Sequence, residues 1–193
     1  FTEPSFFSMF DFPLLAGSYE SLKEPNNVLL TKEVAEKYFG NWKTAIGKSI
    51  KLQVGGYLFE HGTELLKVSG ILASIPENTD FQLKVVVAYN TGFTGSIIAT
   101  SNDWEDRTNA GFGCYIMLQP NVSVADFNTQ LKLYAAKVQS PLNKDNHFAQ
   151  PLSEVHYDIH AGNYSNNTIS KELLNVLWLI AAFILLIACV NFI

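Results

Sequence analysis

Short apolar stretches bounded by turn residues predict β-strands through the middle of the chain. Between residues 48 and 54 polar and apolar side chains alternate, which is typical of a strand with one buried face. The stretch over Phe81–Tyr89 holds consecutive β-branched residues, which favour strands. Gly55-Gly56 between two of these stretches is a hairpin signal. We predict strands over Val28–Leu30, Lys48–Val54, Tyr57–Phe59, Leu65–Ile75, Phe81–Tyr89 and Phe112–Gln119.

The first residues of the chain are rich in phenylalanine. Phe6, Phe7 and Phe10 fit one face of a short helix, which we expect Gly17 to end. These side chains and Phe12 could form a patch for a membrane interface or a partner. Core packing is the more ordinary interpretation, because aromatic residues dominate protein cores.

Two further helices have clear start signals. Thr31 is a good N-cap for a helix over Lys32–Phe39, and Gly40 closes it. Ser123 caps a longer helix that extends to Gln139, with apolar residues at three- and four-residue spacing.

These elements form two strand–helix units, over 28–39 and 112–139, on either side of a β-rich insert. The stretch 90–111 is rich in Gly, Thr, Asn and Ser and predicts a loop. The pattern therefore predicts an α+β fold whose first subdomain is discontinuous.

The chain ends in an apolar span over Leu173–Ile193. From Val176 to Val190 there is no charged or strongly polar residue. About 20 apolar residues in a helix cover a bilayer core of about 30 Å. A buried core helix is the alternative, but such helices usually carry a polar stripe, and here Asn175 and Asn191 stand only at the ends. We predict a water-soluble domain anchored to a membrane at its C-terminus.

Charge excludes two classes of partner. The chain has 193 residues, a net charge of −5 and 13 Lys and Arg residues that are scattered singly. Nucleic-acid binding and adhesion to an anionic membrane surface both need clustered cations. Cys114 is predicted in a strand and Cys189 in the apolar span, so we expect no disulfide between them.

Gly47-Lys48-Ser49 is similar to the end of a phosphate-binding P-loop, but its context is wrong. The motif requires a glycine five residues before Gly47, where this chain has Trp42. A P-loop also opens a helix, whereas this segment enters an alternating strand. We therefore expect no nucleotide site, and no nucleophile elbow or dinucleotide fingerprint occurs either.

Four potential metal ligands alternate near the C-terminal span: Glu154, His156, Asp158 and His160. An extended backbone would place all four on one face, and a helix would bring the two histidines together. Imidazole and carboxylate groups suit zinc. The alternative is an exposed polar face, which we favour because no further ligand cluster is visible.

Tyr57 and Phe59 follow the predicted hairpin glycines. An exposed hairpin tip with two aromatic side chains is a candidate contact site for another subunit.

Seven segments in this order resemble the periplasmic core domain of MacB-like (FtsX-like) ABC transporter permeases, in the form found in Bacteroidetes. In chain order they are FFSMFDFPLLAG (Phe6–Gly17), VLLTKEVAEKYFG (Val28–Gly40), AIGK (Ala45–Lys48), VSGIL (Val68–Leu72), IPENT (Ile75–Thr79), QPLSEVH (Gln150–His156) and ACVNF (Ala188–Phe192).

The resemblance implies two subdomains, one a βαβ-repeat part called Porter and the other an inserted β-rich part called Sabre. We expect the Porter-like part over residues 1–46 and 112–168 and the Sabre-like part over 47–111. The start of a transmembrane helix follows over 173–193. The domain would lie in the periplasm, outside the bacterial cytoplasmic membrane, between the first two membrane helices.

The resemblance also implies a function without catalysis. Such a domain binds no cofactor and transmits motion driven by a cytoplasmic ABC ATPase, which would be fused or separate. A second permease copy, a periplasmic adaptor and an outer-membrane channel are the other implied partners. Two alternatives stay open at this point: a membrane-anchored metal-dependent hydrolase that uses the four potential ligands, and a single-pass surface-binding protein.

Overall fold

A computed structural model of the chain describes residues 1–53, 63–91, 113–138, 146–160 and 168–192. The described residues up to Met117 belong to one compact unit, and those from Leu118 onward belong to a second. We call them the sheet unit and the helical unit.

The sheet unit is built on one five-stranded sheet with the order β1-β4-β2-β5, in which β3 also pairs with β4. β2 and β4 are parallel, and the other pairs are antiparallel. The strands are β1 (Leu14–Gly17), β2 (Asn27–Thr31), β3 (Ser49–Gln53), β4 (Thr63–Leu72) and β5 (Val85–Val87).

β2 lies inside the sheet and is buried on both faces. Val28 and Leu30 belong to one apolar cluster, whereas Leu29 between them belongs to another. A strand covered on both sides needs a continuous apolar run, which explains why these residues do not alternate with polar ones. The predicted buried strand over Val28–Leu30 is therefore confirmed.

Helix α2 (Lys32–Phe39) forms as predicted and packs its buried Ala35 into the first of these clusters. Thr31 stands at the predicted N-cap position with extended backbone angles, but its side chain makes no capping hydrogen bond to the helix; the helix ends at Gly40. Gly40 has φ +75° and donates its N–H to Glu36 O at 2.8 Å. A left-handed residue of this kind satisfies the carbonyls at a helix end, and glycine adopts it without steric cost.

The prediction for the phenylalanine-rich start is wrong beyond its first turn. Helix α1 covers only Phe6–Met9, and Gly17 ends a strand instead of a helix. Pro13 disfavours helical backbone at the residue before it, so the chain leaves the helix and enters β1. Ala73 donates its N–H to Pro13 O at 2.8 Å, which continues the pairing of β1 with β4.

Three of the predicted strands differ in the structure. The strand predicted over 65–75 runs from Thr63 to Leu72. The apolar run over 81–89 forms a strand only at Val85–Val87, and Ala88 adds an isolated bridge to Thr2. Residues 113–119 form no strand, although residues 114–118 are a continuous apolar run; no strand of the described chain pairs with them. The predicted strand over Tyr57–Phe59 lies outside the described residues.

The helical unit contains α3 (Val124–Val138), the one-turn helix α4 (Leu152–Val155) and α5 (Lys171–Asn191). Ser123 caps α3 as predicted: its Oγ accepts from Asp126 N at 3.0 Å and donates to Asp126 Oδ2 at 2.7 Å. This reciprocal pairing satisfies one of the free N–H groups of the first turn.

The architecture is α+β, with one sheet and an apolar C-terminal helix. Strands β3 and β4, which were assigned to the Sabre-like insert, pair into the same sheet as β1 and β2. The boundaries at 46/47 and 111/112 stay a prediction.

Candidate functional site

Helix α5 is the feature of the described chain most directly tied to function. It covers 21 residues, an 18-residue window of it has a mean hydropathy of 2.8, and none of its residues is buried. At about 1.5 Å per residue the helix is about 32 Å long, close to the thickness of a bilayer core. Trp178, near the start of the apolar run, is 76% exposed.

That exposure decides between the two interpretations of the apolar span. A core helix of a soluble protein would bury most of its surface, whereas α5 buries none of the window that could cross a membrane. A helix also satisfies its own backbone hydrogen bonds in lipid. Length, composition and exposure are therefore those of a membrane-spanning helix.

A junction of polar contacts surrounds the first turn of α5. Ser170 Oγ accepts from Leu173 N at 3.1 Å and caps the helix. Just before the cap, Ile169 donates its N–H to His156 O at 3.0 Å. This hydrogen bond ties the entry of α5 to the turn that follows α4.

Lys171 strengthens the same junction. Its Nζ lies 2.5 Å from Glu154 Oε2 and 5.5 Å from the centre of the Tyr157 ring. The Lys171 and Glu154 side chains are 58% and 47% exposed, so solvent screens the pair. The ion pair orients α4 against α5 more than it stabilises the fold.

The segment before α4 is held by side-chain amides. Asn128 in α3 donates from Nδ2 to Ala149 O at 2.8 Å and accepts from Ala149 N at 2.6 Å. Gln150 then donates from Nε2 to Asp158 Oδ2 at 2.9 Å. A continuous series of contacts therefore connects α3 with the base of α5, all of it within the helical unit.

The four potential metal ligands lie in this junction, but in neither predicted backbone form. α4 ends at Val155, and residues 156 and 157 form a turn, so the segment is neither extended nor one continuous helix. Glu154 pairs with Lys171, and Asp158 accepts from Gln150 and from the His160 backbone. Among the described residues no three His, Cys, Asp or Glu side chains are grouped closely enough to hold a metal ion.

The N-terminal phenylalanines pack against one another within the sheet unit. The Phe6 and Phe10 ring centres are 4.7 Å apart, and Phe10 lies 4.8 Å from Phe81, which is 8% exposed. Phe7 and Phe12 contact the apolar cluster around Leu29. Core packing therefore accounts for these side chains.

Four other residues singled out in the sequence divide between described and undescribed parts of the chain. Tyr57 and Phe59, the candidate partner contacts, lie outside the described residues. Cys114 is a free, exposed thiol, and so is Cys189 on the surface of α5.

The pairing of Asn128 with Ala149 was missed in the sequence because the two residues are 21 positions apart. Lys171 and Glu154 are likewise 17 positions apart. One signal was available, since Lys171 stands at the start of the apolar span where a cation commonly marks the membrane boundary.

The family model of the MacB-like periplasmic core domain matches residues 1–134, which include the whole sheet and the start of α3. The chain belongs to this family. The match ends within α3, so the junction and α5 lie beyond the part that defines the family.

One similar solved structure is a domain from Porphyromonas gingivalis, a protein provisionally named as a permease. The two chains are 22% identical with a TM-score of 0.48, and the match covers 73% of this chain. It spans only 54% of that chain, about half of its length. A search of the curated proteins gave no significant match.

Proposed function

We propose that this chain is the extracytoplasmic domain of an ABC-type permease, followed by the start of a membrane helix. The family match over residues 1–134 carries the proposal. The exposed apolar helix α5 supports it, because a periplasmic domain of a permease must continue into the membrane. We place the domain in the periplasm and α5 in the cytoplasmic membrane.

The proposed role is mechanical and involves no chemistry on a substrate. An ABC ATPase, fused or separate, would hydrolyse ATP in the cytoplasm and move the membrane helices. The junction at the base of α5 would pass that motion to α4 and α3, because its hydrogen bonds connect these elements. A second permease copy, a periplasmic adaptor and an outer-membrane channel are the further partners proposed.

The test is to crosslink the full-length protein in its native envelope and to identify co-purified proteins by mass spectrometry. We expect an ABC ATPase, as a partner or as a domain of the same polypeptide. An intact protein with neither would overturn the proposal.

A matched pair of variants sharpens this test. Leu185 in α5 and Leu133 in α3 are both exposed helical leucines, at 66% and 56%. An arginine at the centre of a membrane helix costs about 2.5–3.5 kcal/mol on insertion scales. We therefore expect Leu185→Arg to reduce membrane insertion and ATPase recovery, and Leu133→Arg to leave both unchanged.

A further inference from the structure

The level of the junction relative to the membrane follows from the sequence of α5. The charge-free stretch begins at Leu173, directly after the charged residues Lys171 and Glu172. Lys171 therefore stands about 3 Å before the hydrocarbon core, at about 1.5 Å of rise per residue. The lipid headgroup layer is about 5–8 Å thick on each side of that core.

We propose that the segment from Leu152 to His160 lies in the headgroup layer and contacts phospholipid directly. This inference rests on the proposed membrane crossing of α5. The partner is the phospholipid interface itself, and the contacting groups are apolar and aromatic side chains of α4 and of the turn after it.

The geometry places this segment beside the first turn of α5. His156 O accepts from Ile169 N at 3.0 Å, and Glu154 Oε2 lies 2.5 Å from Lys171 Nζ. Ile159 and His160 line the same hollow as residues 170–172. The segment therefore shares the level of residues 169–172, and the membrane that surrounds α5 begins there.

The side chains exposed at this level suit a membrane interface. Leu152 is 54% exposed, Ile159 55% and Tyr157 37%. Such side chains gain free energy when lipid covers them, and tyrosine favours the interface because its ring is apolar and its hydroxyl stays hydrated. Continuity with the membrane-spanning helix brings lipid within their reach.

Charge excludes electrostatic attraction to anionic lipid as the cause. Glu154, Asp158 and Glu172 supply three carboxyl groups around the single cation Lys171. Anionic headgroups attract clustered cations, which this segment lacks. The contact should therefore form equally well with zwitterionic phospholipid.

The experiment measures the depth of spin labels on the full-length permease in phosphatidylcholine nanodiscs. Single cysteines replace Ile159 and Leu152 in a background without other cysteines. Leu185→Cys in the middle of α5 marks the lipid core, and Lys51→Cys on β3 marks water. Power saturation compares the access of oxygen, which concentrates in lipid, with that of a water-soluble nickel complex.

We expect labels at positions 159 and 152 to give depths between those of positions 185 and 51. Labels at 159 and 152 that match position 51, while position 185 is in lipid, would overturn this inference alone. A label at position 185 that is in water would overturn the proposed function as well. Adding anionic phosphatidylglycerol to the nanodisc should not move the labels at positions 152 and 159 deeper into the membrane. A clear increase in their depth would refute the apolar basis of the contact.

Discussion

Replacing Gly17 with alanine should separate β1 from β4. Gly17 has φ +89°, and a Cβ built on it would lie 2.5 Å from Gly70 Cα and closer still to Ser69 O. These are backbone atoms of the neighbouring strand, so no side-chain rotation can relieve the overlap. The substitution therefore adds a steric clash to an unfavourable backbone conformation.

The size of the effect can be estimated from these two parts. A left-handed conformation costs a residue with a Cβ about 1–2 kcal/mol. Overpacking against atoms that cannot move freely costs about 1–3 kcal/mol. The sum of about 2–5 kcal/mol corresponds to an increase of about 30-fold to several thousandfold in the population of the open state.

Gly40→Ala is the matched control, because it isolates the backbone part. Gly40 also has a positive φ, +75°, but a Cβ there would meet no atom within 4 Å. Hydrogen exchange measured by mass spectrometry on peptides from β1 and β4 reports the opening of this strand pair. Gly17→Ala should accelerate exchange there by at least tenfold more than Gly40→Ala, and equal exchange in the two variants would refute the close-approach argument.

Three further predictions use pairs of neighbouring groups. Leu66 is fully buried, so Leu66→Ala should lower the free energy of unfolding by about 2–5 kcal/mol. Leu65 is 65% exposed, so Leu65→Ala should change this free energy by less than about 0.5 kcal/mol. Denaturant titration measures both changes. A hydrogen bond from Ser74 lowers the pKa of Glu33 in the folded protein below its ordinary value of 4.5. The ionised carboxylate therefore stabilises the folded state at pH values above 4.5, and this stabilisation is lost as the pH falls through the lowered pKa. Ser74→Ala should therefore reduce the unfolding temperature at pH 7 more than at pH 3. Asn128→Ala removes two hydrogen bonds to Ala149 and should speed exchange of the Ala149 amide by about 5- to 100-fold, with Asn128→Asp, which keeps the acceptor, in between.

Local signals predicted the elements that depend on local contacts. The helix over Lys32–Phe39 was placed at its observed bounds because the glycine after it has no competing role in tertiary structure. The cap at Ser123 was also predicted, since its partner lies three residues away. In both cases the deciding hydrogen bonds join neighbours in the chain.

Predictions failed where a distant partner decides the conformation. Gly17 has the residue type of a helix end, but its positive φ allows β1 to approach Ser69 and Gly70 closely. The run over 113–119 is apolar enough for a buried strand, yet Tyr115 packs against Phe10 and Phe81 instead of pairing in a sheet. A sequence pattern shows that a segment can form a strand, but it does not show whether a neighbouring strand is there to pair with it.

For the candidate site, too, the features set by consecutive residues were predicted and those that depend on distant partners were not. The apolar span of α5 was evident because hydrophobicity is a property of consecutive residues. The Glu154–Lys171 pair was not evident, and Glu154 was instead one of four potential metal ligands, an interpretation that was less favoured than an exposed polar face. Alternation of ligand types is informative only if the backbone is regular, and the backbone turns directly after α4.

The strength of the contacts around α5 bears on how the proposed motion could pass through it. The ion pair of Lys171 with Glu154 is about half exposed on both sides, and such pairs contribute about 0–1 kcal/mol. The hydrogen bond between Ile169 and His156 adds about 1 kcal/mol. Opening this junction therefore costs a few kcal/mol at most, which leaves an open state populated at about 0.1–10%. Separating the buried strand β2 from β4 would cost more free energy than opening the junction. We therefore infer that motion driven from the membrane would rearrange the junction before it disturbs the sheet.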